Sequence, residues 1–333
     1  MGAKIGLIVE KTILPETSDH SPSMAFFEGR LFIAWKGSGN DTLNVAFSQL
    51  LNPGVRPVFD LERKHISAET SDNAPALAFH RGALFIAWKG SGNDSLNVAE
   101  VELRELGGGR AEIVGIVNKL ILEDRSSEAP ALASHDGKLF IAWKGSGNDN
   151  LNLMYSDVFP GVSFRTDLKH ISQETTQKAP TLASHRRKLF IGWMGTDSLN
   201  FNHLNSAEVQ FSPDGTRIAG FAPKQVLLGT DSEHGPAMLS YGEQDFFGGA
   251  VQSSLFMAWH EGASGALIVE ASDSGLDFQP PRFVENETTD RSPALSSNTI
   301  LGAPAVFSGD LFIAWKGSGN ENLNVARVEA TVT

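Results

Sequence analysis

Leu31 to Ala46 reads LFIAWKGSGNDTLNVA, and nearly the same string returns from Leu84, Leu139 and Leu311. Two worn copies stand between the last two, LFIGWMGTDSLNF from Leu189 and LFMAWHEGASGALIV from Leu255. All six tryptophans occupy one position of this unit, as Trp35, Trp88, Trp143, Trp193, Trp259 and Trp315. The gaps between them are 53, 55, 50, 66 and 56 residues, so the unit can be counted by eye. A period near that length, built of short apolar strands with no helical pattern, predicts the blades of a propeller.

Working outward, each unit opens on a polar turn that ends in proline: ETSDHSP at Glu16, ETSDNAP at Glu69, DRSSEAP at Asp124, ETTQKAP at Glu174, TDSEHGP at Thr230 and ETTDRSP at Glu287. Proline suits the first residue of a strand, where its missing N–H does no harm. A first strand such as Ala76 to Phe79 follows, then a turn with Gly29, Gly82 or Gly137, then the apolar strand carrying the tryptophan. That strand is hydrophobic on both sides of the pleat, as a strand between neighbouring sheets must be. KGSGND makes a glycine-rich turn into LNVA, and a more polar stretch such as Val58 to Ile66 is the expected outermost strand.

The expectation is all-β: six blades of four antiparallel strands in one domain over 1–333. The blades fall near 14–66, 67–121, 122–171, 172–228, 229–285 and 286–333, the last completed by a strand at 4–13. Counting from Trp315 through both ends of the chain to Trp35 gives 53, the internal period again, so the N-terminal strand is expected to close the ring. Closure removes two open sheet edges that would otherwise invite aggregation. Units five and six carry extra residues at Gly242 to Ser254 and Ser296 to Asp310, and unit four a longer outer hairpin with SPDGT at Ser212.

The 27 Lys and Arg against 39 Asp and Glu give a net charge of −12, which opposes a nucleic-acid or anionic-membrane partner. The absence of cysteine excludes disulfides and thiolate metal sites. MGAKIGLIVEKTIL reads as a strand, with no signal peptide, and no apolar run is long enough to span a bilayer. The compartment expected on that ground is the cytoplasm or non-classical export.

The order of parts resembles the blades of the sialidase superfamily, the Asp-box propellers, and in character their lectin members. Their mark is S-x-D-x-G-x-x-W in the hairpin between the third and fourth strands. Asp273-Ser274-Gly275-Leu276-Asp277-Phe278 keeps the aspartate, glycine and aromatic, with Ala271 in place of the serine, and Tyr155-Ser156-Asp157 followed by Gly161 is a degenerate copy. The resemblance implies that the ETSD turns and the KGSGND turns share the ligand-bearing face. It also implies that Arg291-Ser292-Pro293 matches the first of three arginines that hold a substrate carboxylate in sialidases. No other unit has arginine there, and of the two tyrosines Tyr155 falls on a strand and Tyr241 in an insertion expected on the other face. Standard sialidase activity is therefore not expected.

Two sets of residues stand out as sites. Two positions before each proline lie His20, Asn73, Glu128, Lys178, His234 and Arg291, six polar side chains of five types at the expected mouth of the central channel. Such a ring offers an acid, a base and an anion clamp, with Glu128, His20, His234 and Arg291 as catalytic candidates; solvated residues free to drift are the alternative. No metal-ligand spacing appears, and a calcium or other ion in the channel is the one cofactor left open.

The second set is the repeated turn: Trp35, Lys36, Asn40 and Asp41; Trp88, Lys89, Asn93 and Asp94; Trp143, Lys144, Asn148 and Asp149; and Trp315, Lys316, Asn320 and Glu321. Amide, carboxylate and ammonium groups beside an indole suit a sugar, and repetition would add avidity. The same residues also make good turns, surface ion pairs and inter-blade packing. His80, His135 and His185, and likewise His65 and His170, recur in separate blades and are expected to be structural. The leading expectation is a lectin-like propeller binding glycans at repeated loops on one face. A glycan-directed hydrolase or lyase at the channel mouth, and a protein-binding scaffold using the insertions, are the alternatives.

Overall fold

The computed structural model describes residues 4–52, 54–196, 202–227, 229–242, 253–278, 282–298 and 309–331. Strand β1 (Lys4–Thr17) is followed by blade 1, made of β2 (Ser23–Phe27), β3 (Arg30–Lys36), β4 (Thr42–Phe47) and β5 (His65–Thr70). Blade 2 is β6 (Ala76–His80), β7 (Ala83–Lys89), β8 (Ser95–Gly107) and β9 (Arg110–Arg125), and blade 3 is β10 (Ala131–His135), β11 (Lys138–Lys144), β12 (Asn150–Ser156) and β13 (His170–Thr175). Blade 4 comprises β14 (Thr181–His185), β15 (Lys188–Thr196), β16 (Asn202–Phe211), β17 (Ile218–Phe221) and β18 (Gln225–Leu227). Blade 5 comprises β19 (Ala237–Gly242), β20 (Ser253–His260), β21 (Ala266–Ser272) and β22 (Arg282–Thr288), and blade 6 holds β23 (Ala294–Ser297), β24 (Leu311–Lys316) and β25 (Asn322–Thr331).

Six antiparallel sheets result, and the ring closes as expected: β1 pairs with β25 as the fourth strand of blade 6. Several bounds differ from the sequence reading. The closing strand runs on to Thr17, because Asn322 pairs with it there. The outer strand of blade 1 starts only at His65, after a 3-10 turn at Leu61–Arg63, since Val58 and its neighbours lack a ladder partner beyond the Ser48–Phe59 bridge. In blade 4 the residue opposite Trp193 is Asn205, and the outer strand is split between β17 and β18. Of the expected insertions at Gly242 to Ser254 and Ser296 to Asp310, Gly242, Ser253 and Ser254 belong to β19 and β20 and Ser296 and Ser297 to β23, while 243–252 and 299–308 lie outside the described residues.

Every interface between blades is filled in the same way. Each of six buried clusters contains one tryptophan: Trp35 between blades 6 and 1, then Trp88, Trp143, Trp193, Trp259 and Trp315 in turn. All six indoles are at most 1% exposed, because both faces of the strand that carries them are covered by neighbouring sheets. Around the outside, ion pairs of 2.5–2.7 Å link successive outer strands: Lys64 to Glu16, Lys119 to Glu69, Lys169 to Asp124, Lys224 to Glu174 and Lys11 to Glu287. On the face that bears the short turns between first and second strands, His80, His135 and His185 reach across to Ser134, Ser184 and Ser240 of the next blade at 2.8–2.9 Å. Burial lowers the pKa of these three histidines, so they stay neutral near pH 7.

Candidate functional site

One buried hydroxyl locks each loop into a first strand. Ser18, Ser71, Ser126, Thr176, Ser232 and Thr289 donate to the carbonyl two residues on at 2.7–3.0 Å. Each accepts the N–H of that same residue at 3.1–3.3 Å. A hydroxyl serves as donor and acceptor at once, so the backbone there is fixed whatever side chain it carries. The residue held in this way is His20, Asn73, Glu128, Lys178, His234 or Arg291, and all six line one cavity of about 410 Å3 around the axis. This hydroxyl column was readable in the sequence two places before the polar one.

The cavity has two unlike sides. Lys178, His234 and Arg291 come from adjacent blades 4, 5 and 6, while His20, Asn73 and Glu128 come from blades 1, 2 and 3. The Arg291 guanidinium is aimed by donating to the carbonyls of Asp19 at 2.9 Å and Asp290 at 2.8 Å, neither of which neutralises it. Lys178 has no carboxylate partner among the described residues. Burial, with His260, Arg291 and Lys178 nearby, pushes the His234 pKa down to about 4. His234 is thus a neutral donor and acceptor beside the Lys178 and Arg291 cations. Across the ring Asn73 Nδ2 donates to Glu128 Oε2 at 3.4 Å, and His20 Nδ1 lies 3.1 Å from Asp19 Oδ1. Glu128 is the one carboxylate among the described residues lining the cavity. Below it, Met24, Leu77, Leu132, Leu182, Met238 and Leu295 form an apolar ring shared with a second cavity of about 870 Å3 at the opposite mouth. The ring gives the polar cavity an apolar floor.

The repeated turns lie on the same face, since Lys36 and Ser38 of the first one meet Asp19 and Thr17 of the ETSD loop. Their residues are engaged within the protein. Lys36 binds Asp19 and Asp41, Lys89 binds Asp72 and Asp94, Lys144 binds Asp149 and Ser127, and Lys316 binds Asp290, all at 2.5–2.8 Å. Burial opposes the charge on Lys36 and Lys89, but hydrogen bonds to their aspartates outweigh it and raise both pKa values. Asn40, Asn93, Asn148 and Asn320 each accept a backbone N–H two residues on at 3.0–3.2 Å. Those amides fill the space beside Gly37, Gly90, Gly145 and Gly317, where a Cβ would come within 2.3–2.6 Å of the amide oxygen.

Asp41, Asp94, Asp149 and Glu321 take positive φ near 58°, and their carbonyls accept the N–H of Ser71, Ser126, Thr176 and Ser18 in the following blade. Glu321 differs in its side chain, which accepts from Ser38 instead of pairing with Lys316. Trp35, Trp88, Trp143 and Trp315, expected to offer sugar-stacking plates, are instead buried in the blade interfaces. No face of these indoles reaches solvent, because the strand that carries them lies between two sheets.

Tyr155 and Tyr241 are both strand residues whose hydroxyls donate to the carbonyls of Thr216 and Gly309. Tyr241 was expected in an insertion; it belongs to β19, which continues in register with β20 as far as Gly242. Burial pushes its pKa up to about 12. Neither tyrosine lines the axial cavity. The turn at Asp273–Phe278 packs inward: Gly275 approaches the Phe190 ring, and Phe278 lies against the cluster between blades 4 and 5. Among the described residues no group of three or more His, Asp or Glu side chains would hold a metal ion. No helix is long and apolar enough to cross a membrane among the described residues.

No family model matches the chain, and no curated protein matches it. Solved structures do. The sialidase of Trypanosoma rangeli bound to the inhibitor DANA superposes with a TM-score of 0.60 at 10% identity over 96% of this chain. The chain spans only 60% of that enzyme. The fucose-specific lectin from Aleuria aurantia gives 0.56 at 10% identity, over 96% of this chain and 97% of the lectin. The α-L-arabinofuranosidase Arb93A from Fusarium graminearum, with an iminosugar inhibitor, gives 0.56 at 11% identity over 97% and 98%. The chain is a six-bladed β-propeller with the fold that sialidase, fucose-lectin and arabinofuranosidase structures share.

Proposed function

We propose that the chain is a carbohydrate-binding propeller that takes one saccharide terminus per molecule in the axial cavity, with an anionic group of the sugar against Lys178 and Arg291. One observation carries this reading. On a scaffold that otherwise repeats itself, six identically held backbone positions present six polar side chains of five types around a single cavity of about 410 Å3. Two unpaired cations on one side, in a protein of net charge −12, favour a carboxylate over a neutral sugar. The Glu128–Asn73 pair and His20 on the other side suit hydroxyls, which want donors and acceptors together. The solved relatives named above include a sialidase, a fucose lectin and an arabinofuranosidase, which agrees with a saccharide as ligand.

Binding is favoured over hydrolysis by the presence of a single carboxylate among the described residues of the cavity wall, where glycoside hydrolysis in most families uses two. Repeated sites on the turns are disfavoured because their lysines and amides are already engaged within the turn and with the adjoining loop. The test is titration calorimetry with methyl glucuronide, methyl galacturonide and their neutral parents. One site per chain is expected for a uronide, weakened by about tenfold or more in Lys178→Ala, since a hydrogen bond to a charged group contributes about 1.5–3 kcal/mol. Several equivalent sites per chain, or equal affinity for the neutral parents, would refute it.

A further inference from the structure

On the face opposite the axial cavity a further pocket, of about 710 Å3, lies where blades 3 and 4 meet. Its walls include the half-buried ring of Phe211, which stacks on His135 at 6.1 Å and 17°, and the edge of Phe140. Its rim carries Lys138, Arg186 and Arg187, with Asp136 as the one carboxylate among the described lining residues. The Lys138 ammonium donates to the Gly215 carbonyl at 2.9 Å and Arg186 to the Ser253 carbonyl at 2.7 Å. Both are therefore fixed in place by dipoles that leave their charge uncompensated. Arg187 has no hydrogen bond or ion pair among the described residues.

The backbone supplies an independent sign. The turns between first and second strands have two successive residues with positive φ: Glu28-Gly29, Arg81-Gly82, Asp136-Gly137 and Arg186-Arg187. In three blades the second residue is glycine, the residue that adopts this region without strain. Blade 4 alone among these places an arginine there, at φ 61°. Strained backbone kept in one copy of a repeat is a mark of use, because nothing in the packing of the other copies requires it.

We infer that this pocket is a separate anion site that takes a sulfate or phosphate ester carried on a sugar ring, the ring lying against Phe211 and the ester between Lys138, Arg186 and Arg187. An aromatic wall suits the C–H face of a pyranose, and guanidinium forks match the oxygens of a tetrahedral oxyanion. The inference stands apart from the axial reading and is tested with the axial lysine removed. In the Lys178→Ala protein, galactose 6-sulfate, galactose 6-phosphate and galactose are titrated in turn. One or both esters should bind at one site per chain with an affinity that falls as salt is raised, and galactose should not. Preference between the two esters tells a monoanionic from a dianionic ligand. Arg187→Gly restores the residue found in the other blades, so it should melt at or above the parent temperature while weakening the ester at least tenfold. Failure of both esters to bind, equal binding of galactose, or unchanged affinity in Arg187→Gly would overturn the assignment.

Discussion

In blade 1 the residue after the tryptophan is Lys36, gripped by Asp19 and Asp41; in blade 4 it is Met194 and in blade 5 His260. Blades 1, 2, 3 and 6 keep the KGSGN turn intact: in each of them the lysine and amide fix the turn and its adjoining loop, and the backbone carbonyl of Asp41, Asp94, Asp149 or Glu321 grips the next blade. Blades 4 and 5 have let it go. They supply Lys178 and His234 to the axial cavity, Arg186 and Arg187 to the pocket on the far side, and His260, whose ring meets His234 edge-on at 5.4 Å. The difference teaches that in this repeat sameness is mechanical. Residues that recur do so because each blade must grip the next, and chemistry is found where a blade departs from the pattern.

That contrast can be broken by experiment, most forcefully at the tryptophans. Trp88→Ala, in the regular half, should cost about 4 kcal/mol in urea unfolding through the lost contacts and the cavity left behind. A cost below 1 kcal/mol would remove the tryptophans from the role given to them. A smaller effect of opposite sign is expected in the worn half. Glu270 stands on β21 opposite Met257, where the regular blades hold Ala46, Ala99, Met154 or Ala326 opposite isoleucine. Burial pushes its pKa up to about 7, above the ordinary carboxylate value, so the folded protein is penalised as pH rises through 7 and relieved as pH falls toward 4.5. Glu270→Gln should therefore stabilise by about 3 kcal/mol at pH 8, and the gain should shrink as pH falls below 7 and vanish below about 4.5. A gain that is constant with pH would show that the carboxylate's charge is not its cause. The smallest effect belongs to the outer girdle: Lys119→Ala should cost about 0.5 kcal/mol, part of it from the ammonium over the Trp88 ring, and less in high salt.

The fold was legible because the residues that fill the interfaces are the ones that repeat. One tryptophan per blade can be counted, and the polar column before each proline points to the axis. The turn residues were legible as a set but ambiguous in use, since groups that suit a sugar also suit a turn. Burial decided between these, and the apolar runs on both sides of Trp35 already held that information. Other features depend on distances that sequence spacing hides. The girdle pairs Lys119 with Glu69 and Lys224 with Glu174 across 50 residues each, which shows only once neighbouring outer strands are side by side. Tyr241 was misplaced because nothing in its neighbourhood marks where β19 stops. The pocket on the far face joins residues from three blades and had no local signature beyond Arg186-Arg187 in place of an X-Gly turn.

The pairing of β1 with β25 has a consequence for how the molecule comes into being. Lys4 meets Thr331 and Thr17 meets Asn322, so one sheet is assembled from segments separated by nearly the whole chain. During synthesis β1 has no partner until the ribosome has made all the other strands, and blades completed earlier wait with an open flank. Contacts of such long sequence separation form late and slowly. The seam is therefore the step at which a half-made ring either closes on itself or captures the matching strand of a neighbour.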